Sequence, residues 1–269
     1  MKLLVCISFH FVEEKYKYLK QVIYNHTKNY FCDIIVDTND EKSIYLAAND
    51  FEEELNQEKI KFFVHSDLAH PFFLSWMHRS HILNRINDYN VFMYVEDDIL
   101  VPFECYLNYL DNFRLLWPNN IPSFIRIEEK DGIFYNSDSF ITTIIKERNI
   151  VRAGGKNFIC LDNPYHGFWI MPRNALKNSM NEKFACFTEE KKWIREIAAS
   201  YGLAPGKKHY ARWRSEDVQK PGLIQLTPEY KVSPLCYSYH LTNKYINDQR
   251  FNFGKIKVND IVKREAKFL

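Results

Sequence analysis

Apolar positions follow two rhythms along the chain. Residues 3–8 form a short continuous apolar run, the mark of a strand buried on both faces. Residues 13–25 change to helical spacing, with Tyr16, Leu19, Val22 and Ile23 on one face. Residues 31–36 predict a second strand, which runs into Asp37-Thr38-Asn39-Asp40, residues with turn and cap chemistry. A third strand is predicted at 60–64 and a strongly apolar helix over 70–86, with Pro71 suited to its first turn. A fourth strand at 91–95 and a helix over 104–117 follow.

Strand alternating with helix predicts an α/β fold. Its core is a Rossmann-type, mostly parallel sheet flanked by helices and joined by right-handed crossovers. In such sheets ligands bind beyond the carboxyl ends of the strands. Ser8-Phe9-His10, Asp37-Thr38-Asn39 and Glu96-Asp97-Asp98 all fall at strand ends, so all three are expected on one edge.

The later sequence is less regular. Strands are predicted at 124–128 and 140–145. A turn at 163–167 leads into a strand at 168–171, and helices are predicted over 172–179 and 188–201. Residues 255–268 carry Lys255, Lys257, Lys263, Arg264 and Lys267 and read as a terminal basic helix, either solvated or resting on an anionic membrane or a partner. No repeat or linker interrupts the chain. A single domain is expected, with a nucleotide-binding half over 1–102, an acceptor half over 103–254 and the basic helix over 255–269.

Charge narrows the partners. A net charge of only +2, with no clustered excess of Lys and Arg, argues against nucleic acid. The apolar start at 1–7 is too short for a signal peptide, and no stretch approaches the roughly 20 apolar residues of a membrane span. Six cysteines lie outside zinc-finger spacing, several in apolar runs where free thiols are buried. A cytoplasmic chain, soluble or peripheral to a membrane, is expected. The 17 Tyr, 21 Phe and 5 Trp are mostly core material, but some are candidates for stacking on sugar rings.

The strongest chemical signal is Glu96-Asp97-Asp98, three consecutive carboxylates between apolar flanks. Carboxylates taken out of water need a compensating cation or donors. Hard oxygen ligands suit Mg²⁺ or Mn²⁺, which can bridge to a diphosphate. Asp217, in Ser215-Glu216-Asp217, is a candidate general base, although Ser followed by acidic residues is also a helix-capping pattern. His240 is a candidate metal ligand or a hydrogen-bonded core histidine. Arg79 is a candidate for the diphosphate. His166, Trp169 and Trp213 are candidates for an acceptor platform. His78 and His81 share a helix face and read as packing or surface residues. Gly154-Gly155-Lys156 reads as a short turn and lacks the spacing of a phosphate-binding loop.

A hydrophobic strand ending in an acidic triplet resembles the DxD motif of GT-A-fold glycosyltransferases, with Glu96 standing where Asp is usual. Ser215-Glu216-Asp217 resembles their xED motif, and Tyr-Val-Glu-Asp-Asp-Ile is similar to the rhamnosyltransferase-type domains of large algal viruses. The resemblance spans roughly residues 3–240. It implies a GT-A-like fold and a metal-dependent hexosyl- or deoxyhexosyltransferase. Such an enzyme moves sugar from a nucleoside-diphosphate sugar to a hydroxyl of a glycan or other acceptor. It implies that Asp37 stands where the nucleotide base is read and Glu96 near the donor ribose or the metal; Ser8, Phe9, Asn39, Arg79 and Asp97 are further candidate donor contacts from their own positions. It implies metal ligation by Asp98 and His240, and an inverting mechanism in which Asp217, or else Glu216, is the base. Two other classes fit clustered carboxylates: a metal-dependent phosphohydrolase or nuclease, and a non-catalytic sugar-binding protein of the same fold.

Overall fold

The computed structural model describes residues 1–138, 142–160, 167–180, 184, 222–248, 250 and 254–264. The chain opens with β1 (Leu3–Phe9), α1 (Tyr16–Asn29), β2 (Cys32–Thr38), α2 (Lys42–Asp50), α3 (Glu52–Asn56), β3 (Ile60–Val64), α4 (Leu74–Asn84) and β4 (Val91–Glu96). There follow β5 (Ile99–Leu100), α5 (Phe103–Leu116), β6 (Ile121–Pro122), β7 (Ile125–Lys130), β8 (Ile133–Asn136), β9 (Thr143–Ile145), β10 (Ile150–Ala153) and β11 (Lys156–Cys160). The last described elements are β12 (Trp169–Pro172), α6 (Arg173–Ser179), β13 (Gly222–Leu226), β14 (Tyr237–His240), α7 (Lys244–Asn247), β15 (Ile256–Lys257) and β16 (Val262–Arg264). The helix expected over 188–201 lies outside the described residues.

The chain divides into two compact units, Met1–Asp98 with His166–Tyr210, and Ile99–Tyr165 with Ala211–Leu269. The division is not linear, because a later segment belongs to the first unit.

The first unit is built on a five-stranded sheet in the order β12-β4-β1-β2-β3. β1 lies parallel to both β2 and β4, and β2 lies parallel to β3, while β12 adds an antiparallel edge beside β4. Every residue of β1 and β4 is buried, as their continuous apolar runs require in a sheet covered on both faces. α1 buries Tyr16, Leu19, Val22, Ile23 and His26, the face its spacing predicts, extended by one turn. α4 packs on β1 and β2. It is shorter than its apolar pattern, because Pro71–Phe73 form a 3-10 turn capped by the His70 side chain. α2 buries Ser43 and Ala47, while α3 buries none of its residues.

The second unit holds two larger sheets, β15-β8-β7-β14-β5 and β10-β11-β13-β6. Ile125, Ile127, Ile159, Ile224 and Val232 belong to its core. β10 and β11 form a hairpin in which Ala153 pairs with Lys156 across Gly154-Gly155. Both glycines have positive φ, 55° and 75°, as a two-residue hairpin turn of this type demands.

One element contradicts the sequence pattern. Where it is described, the expected basic helix over 255–268 is instead β15, a 3-10 turn at Val258–Asp260, and β16. Ile256 pairs with Asn136, and Val262 pairs with Thr143. Val258, Ile261 and Val262 enter the core of the second unit. The β-branched residues in this stretch favour an extended backbone, and pairing with β8 and β9 fixes it. Over 255–264, therefore, no basic helical face for membrane contact is formed; residues 265–268 lie outside the described residues. Among the described residues, no helix is long and apolar enough to cross a membrane.

Candidate functional site

The sheet of the first unit brings the expected strand ends together. Glu96 is the register partner of Ser8, and Ser8 is the partner of Asp37. The row continues to Phe63 on β3. Between β1 and β4 the strand order reverses: β2 and β3 extend to one side of β1, and β4 lies on the other. In open α/β sheets the crevice at this switch point is the ligand site. The acidic triplet stands at it.

Glu96 is the last residue of β4 and is buried. Asp97 and Asp98 form the turn that follows, each half-buried. Burial, then the charges of Asp98 and Glu96, raise the Asp97 carboxyl well above the ordinary carboxylate range, and Lys15 opposes them. The triplet is thus a crowd of like charge that a cation would relieve, and carboxylate oxygens are the right donors for Mg²⁺ or Mn²⁺. Among the described residues, no group of three or more His, Cys, Asp or Glu side chains is set to hold a metal.

The other expected donor residues are engaged within the protein. Ser8 donates its hydroxyl to the Leu74 carbonyl at 3.1 Å. Phe9 is fully buried, with its ring 5.9 Å from that of Phe11. Asn39 accepts the Phe11 N–H on Oδ1 at 2.7 Å, which ties the loop after β1 to the end of β2. Asp37 is fully buried. Its Oδ1 accepts from His65 Nε2 at 2.8 Å and from His81 Nε2 at 3.0 Å. Its Oδ2 is buried with no hydrogen-bond partner among the described residues.

Sequence reasoning missed His65 and gave His81 no partner. The signal for His65 was its position, directly after a predicted strand at 60–64.

Arg79 does not stand open to a diphosphate. It is buried, its guanidinium lies 4.1 Å from the centre of the Trp76 ring, and Nη1 donates to the Phe184 carbonyl at 2.8 Å. Trp169 sits on β12 opposite Tyr94, half-buried, with its ring 5.7 Å from that of His78. His78 is fully buried, and burial holds its pKa well below the usual imidazole range, so the ring stays neutral.

In the second unit His240 ends β14, buried and paired with Ile99. Nδ1 bonds the Glu128 carboxylate, and Nε2 meets the Thr242 hydroxyl at 2.9 Å. Glu128 also accepts the backbone N–H groups of Tyr245 at 3.2 Å and Ile246 at 2.7 Å. A carboxylate on Nδ1 is the arrangement that orients metal-binding histidines, but here both ring nitrogens already have partners in the protein. His166, Trp213, Glu216 and Asp217 lie outside the described residues.

No protein-family model matches the chain. No curated protein matches it. Among solved structures, the chain is similar to S. aureus TarS at 12% identity and a TM-score of 0.39, over 74% of this chain and 33% of that one. It is also similar to mannose-1-phosphate geranyltransferase from Thermus thermophilus, at 8% identity and a TM-score of 0.38, over 76% and 71%. A third likeness is to mouse xyloside xylosyltransferase 1, at 14% identity and a TM-score of 0.30, over 48% and 53%. The chain thus spans a third of the TarS structure and about half of the xylosyltransferase. None of these likenesses assigns an activity.

Proposed function

We propose that the chain is a GT-A-like glycosyltransferase that moves a sugar from a nucleoside-diphosphate sugar to an acceptor hydroxyl. The observation that carries this reading is the acidic triplet at the switch point of a parallel sheet, in register with Ser8 and Asp37.

A strand-end crevice suits a nucleotide, and a carboxylate cluster beside it suits the donor diphosphate. Asp98 is the proposed metal ligand, with Glu96 beside it toward the ribose. Bound Mn²⁺ or Mg²⁺ would offset the charge that builds on the departing diphosphate. Asp217 is the proposed base, on sequence grounds. It takes the proton of the acceptor hydroxyl as the oxygen attacks the sugar's anomeric carbon and the diphosphate leaves, which inverts that carbon.

The test is sugar transfer from a panel of nucleotide sugars to hydroxyl acceptors, with wild type, Asp98→Ala and Asp217→Ala. Loss of the base should cost about 10²–10⁴-fold in rate. Loss of Asp98 should abolish dependence on added metal. Near-normal transfer in both variants, or phosphoester cleavage with no sugar transfer by wild type, would sink the reading.

A further inference from the structure

His65 stands at the donor edge with one ring nitrogen fixed and, among the described residues, no hydrogen bond on the other. It follows β3 directly, and its backbone N–H continues the ladder by donating to the Thr38 carbonyl at 2.7 Å. Nε2 bonds Asp37 Oδ1 at 2.8 Å, while 26% of the side chain stays exposed. That same oxygen receives His81 Nε2 at 3.0 Å, and the His81 ring lies 4.3 Å from that of Phe63. An ionised carboxylate only accepts hydrogen bonds, so the Nε2 atoms of both rings carry the protons. A His65 ring with its one proton on Nε2 keeps its lone pair on Nδ1.

The strand-end side chains beside it offer less. Ser8 and Asn39 are committed to backbone groups, Phe9 is fully buried, and Asp37 is fully buried beneath the two histidines. His10 is exposed at the end of β1, and among the described residues no hydrogen bond holds its ring in one orientation. A ring nitrogen oriented by a buried carboxylate is a pre-organised acceptor.

We infer that His65 is the residue that reads the nucleobase of the donor, accepting a base N–H on Nδ1, and that Asp37 acts through it as a positioning residue. This rests on the donor reading given above. It replaces direct contact between Asp37 and the base, since no atom of Asp37 reaches the surface. It also gives the Asp37–His81 bond a purpose: His81 braces the carboxylate from the helix side.

The experiment measures affinity by calorimetry, with Mn²⁺ present, for UDP, TDP, GDP, CDP, ADP and inorganic pyrophosphate. Wild type is expected to favour one base. His65→Ala should weaken that nucleotide about fivefold to tenfold, the worth of one hydrogen bond, and flatten the preference among bases while pyrophosphate binds as before. His65→Gln, which keeps an acceptor oxygen, should restore part of the preference. ¹⁵N NMR of wild type should find His65 protonated on Nε2, with the Nδ1 signal moving on addition of the preferred nucleotide. In Asp37→Asn that tautomer preference should weaken.

An unchanged base preference in His65→Ala, or equal loss of pyrophosphate, overturns the inference and leaves the donor reading standing. Failure of wild type to bind any nucleotide overturns the donor reading itself, and this inference with it.

Discussion

His26 is a residue whose burial alone makes a prediction. It sits on the inner face of α1 with no exposed surface. Nδ1 meets the Val22 carbonyl at 2.8 Å and Nε2 meets Met93 Sδ at 3.4 Å. Burial lowers its pKa from 6.5 to about 4, against a smaller opposing pull from the Val22 carbonyl. In the unfolded chain the ring titrates near 6.5, so between 6.5 and 4 the unfolded state binds more protons. The stabilisation from keeping this ring neutral is complete above pH 6.5 and is lost as pH falls toward 4. A shift of this size is worth about 3 kcal/mol. Urea denaturation should show stability falling across that window in wild type and falling less steeply in His26→Leu. Equal slopes in the two proteins would contradict the assignment.

At the scale of elements, Glu128 is the clearest tie. It joins β7 to β14 through His240 and to the first turn of α7 through two backbone N–H groups. The carboxylate is fully buried, so its four lone-pair sites must be met inside the protein. Glu128→Ala would leave an imidazole and two N–H groups without their acceptor, and should cost about 3 kcal/mol or more. Glu128→Gln keeps one acceptor oxygen and should cost less. Chemical denaturation ranks them, and a loss below about 1 kcal/mol in Glu128→Ala would show that the tie carries little. The elements themselves divide by legibility. β1 and β4 were readable because a strand buried on both faces must be continuously apolar. The 255–264 stretch departs from the expected helix because a run of basic residues says nothing about which strand edges are vacant. Those edges, on β8 and β9, belong to segments more than a hundred residues earlier.

For the whole molecule, the donor reading makes a thermodynamic prediction that needs no acceptor. A ligand that binds only the folded chain stabilises it by mass action, by about 2.7 kcal/mol at a free concentration of 100 Kd. A nucleoside diphosphate with Mn²⁺ should therefore raise the melting temperature, and nucleoside alone should raise it less. In Asp98→Ala the gain from adding Mn²⁺ should vanish. If no nucleoside diphosphate shifts the melt at saturating concentration, the strand-end edge is not a nucleotide site.

The sequence by itself determined the parallel α/β core and the edge at which chemistry is expected. Both follow from local properties: hydrophobic period identifies the strands, and crossover handedness sends their carboxyl ends to one side. It also singled out Glu96-Asp97-Asp98, because three adjacent carboxylates within apolar flanks are costly wherever they lie. Tertiary structure decided what each side chain at that edge does. Asp37, plain in the sequence as a polar strand end, is spent on His65 and His81, which lie 28 and 44 residues away. Arg79 is held by Trp76 and Phe184 rather than offered to a ligand. Hydrogen-bond partners are chosen by register and packing between distant segments, and no local pattern encodes them.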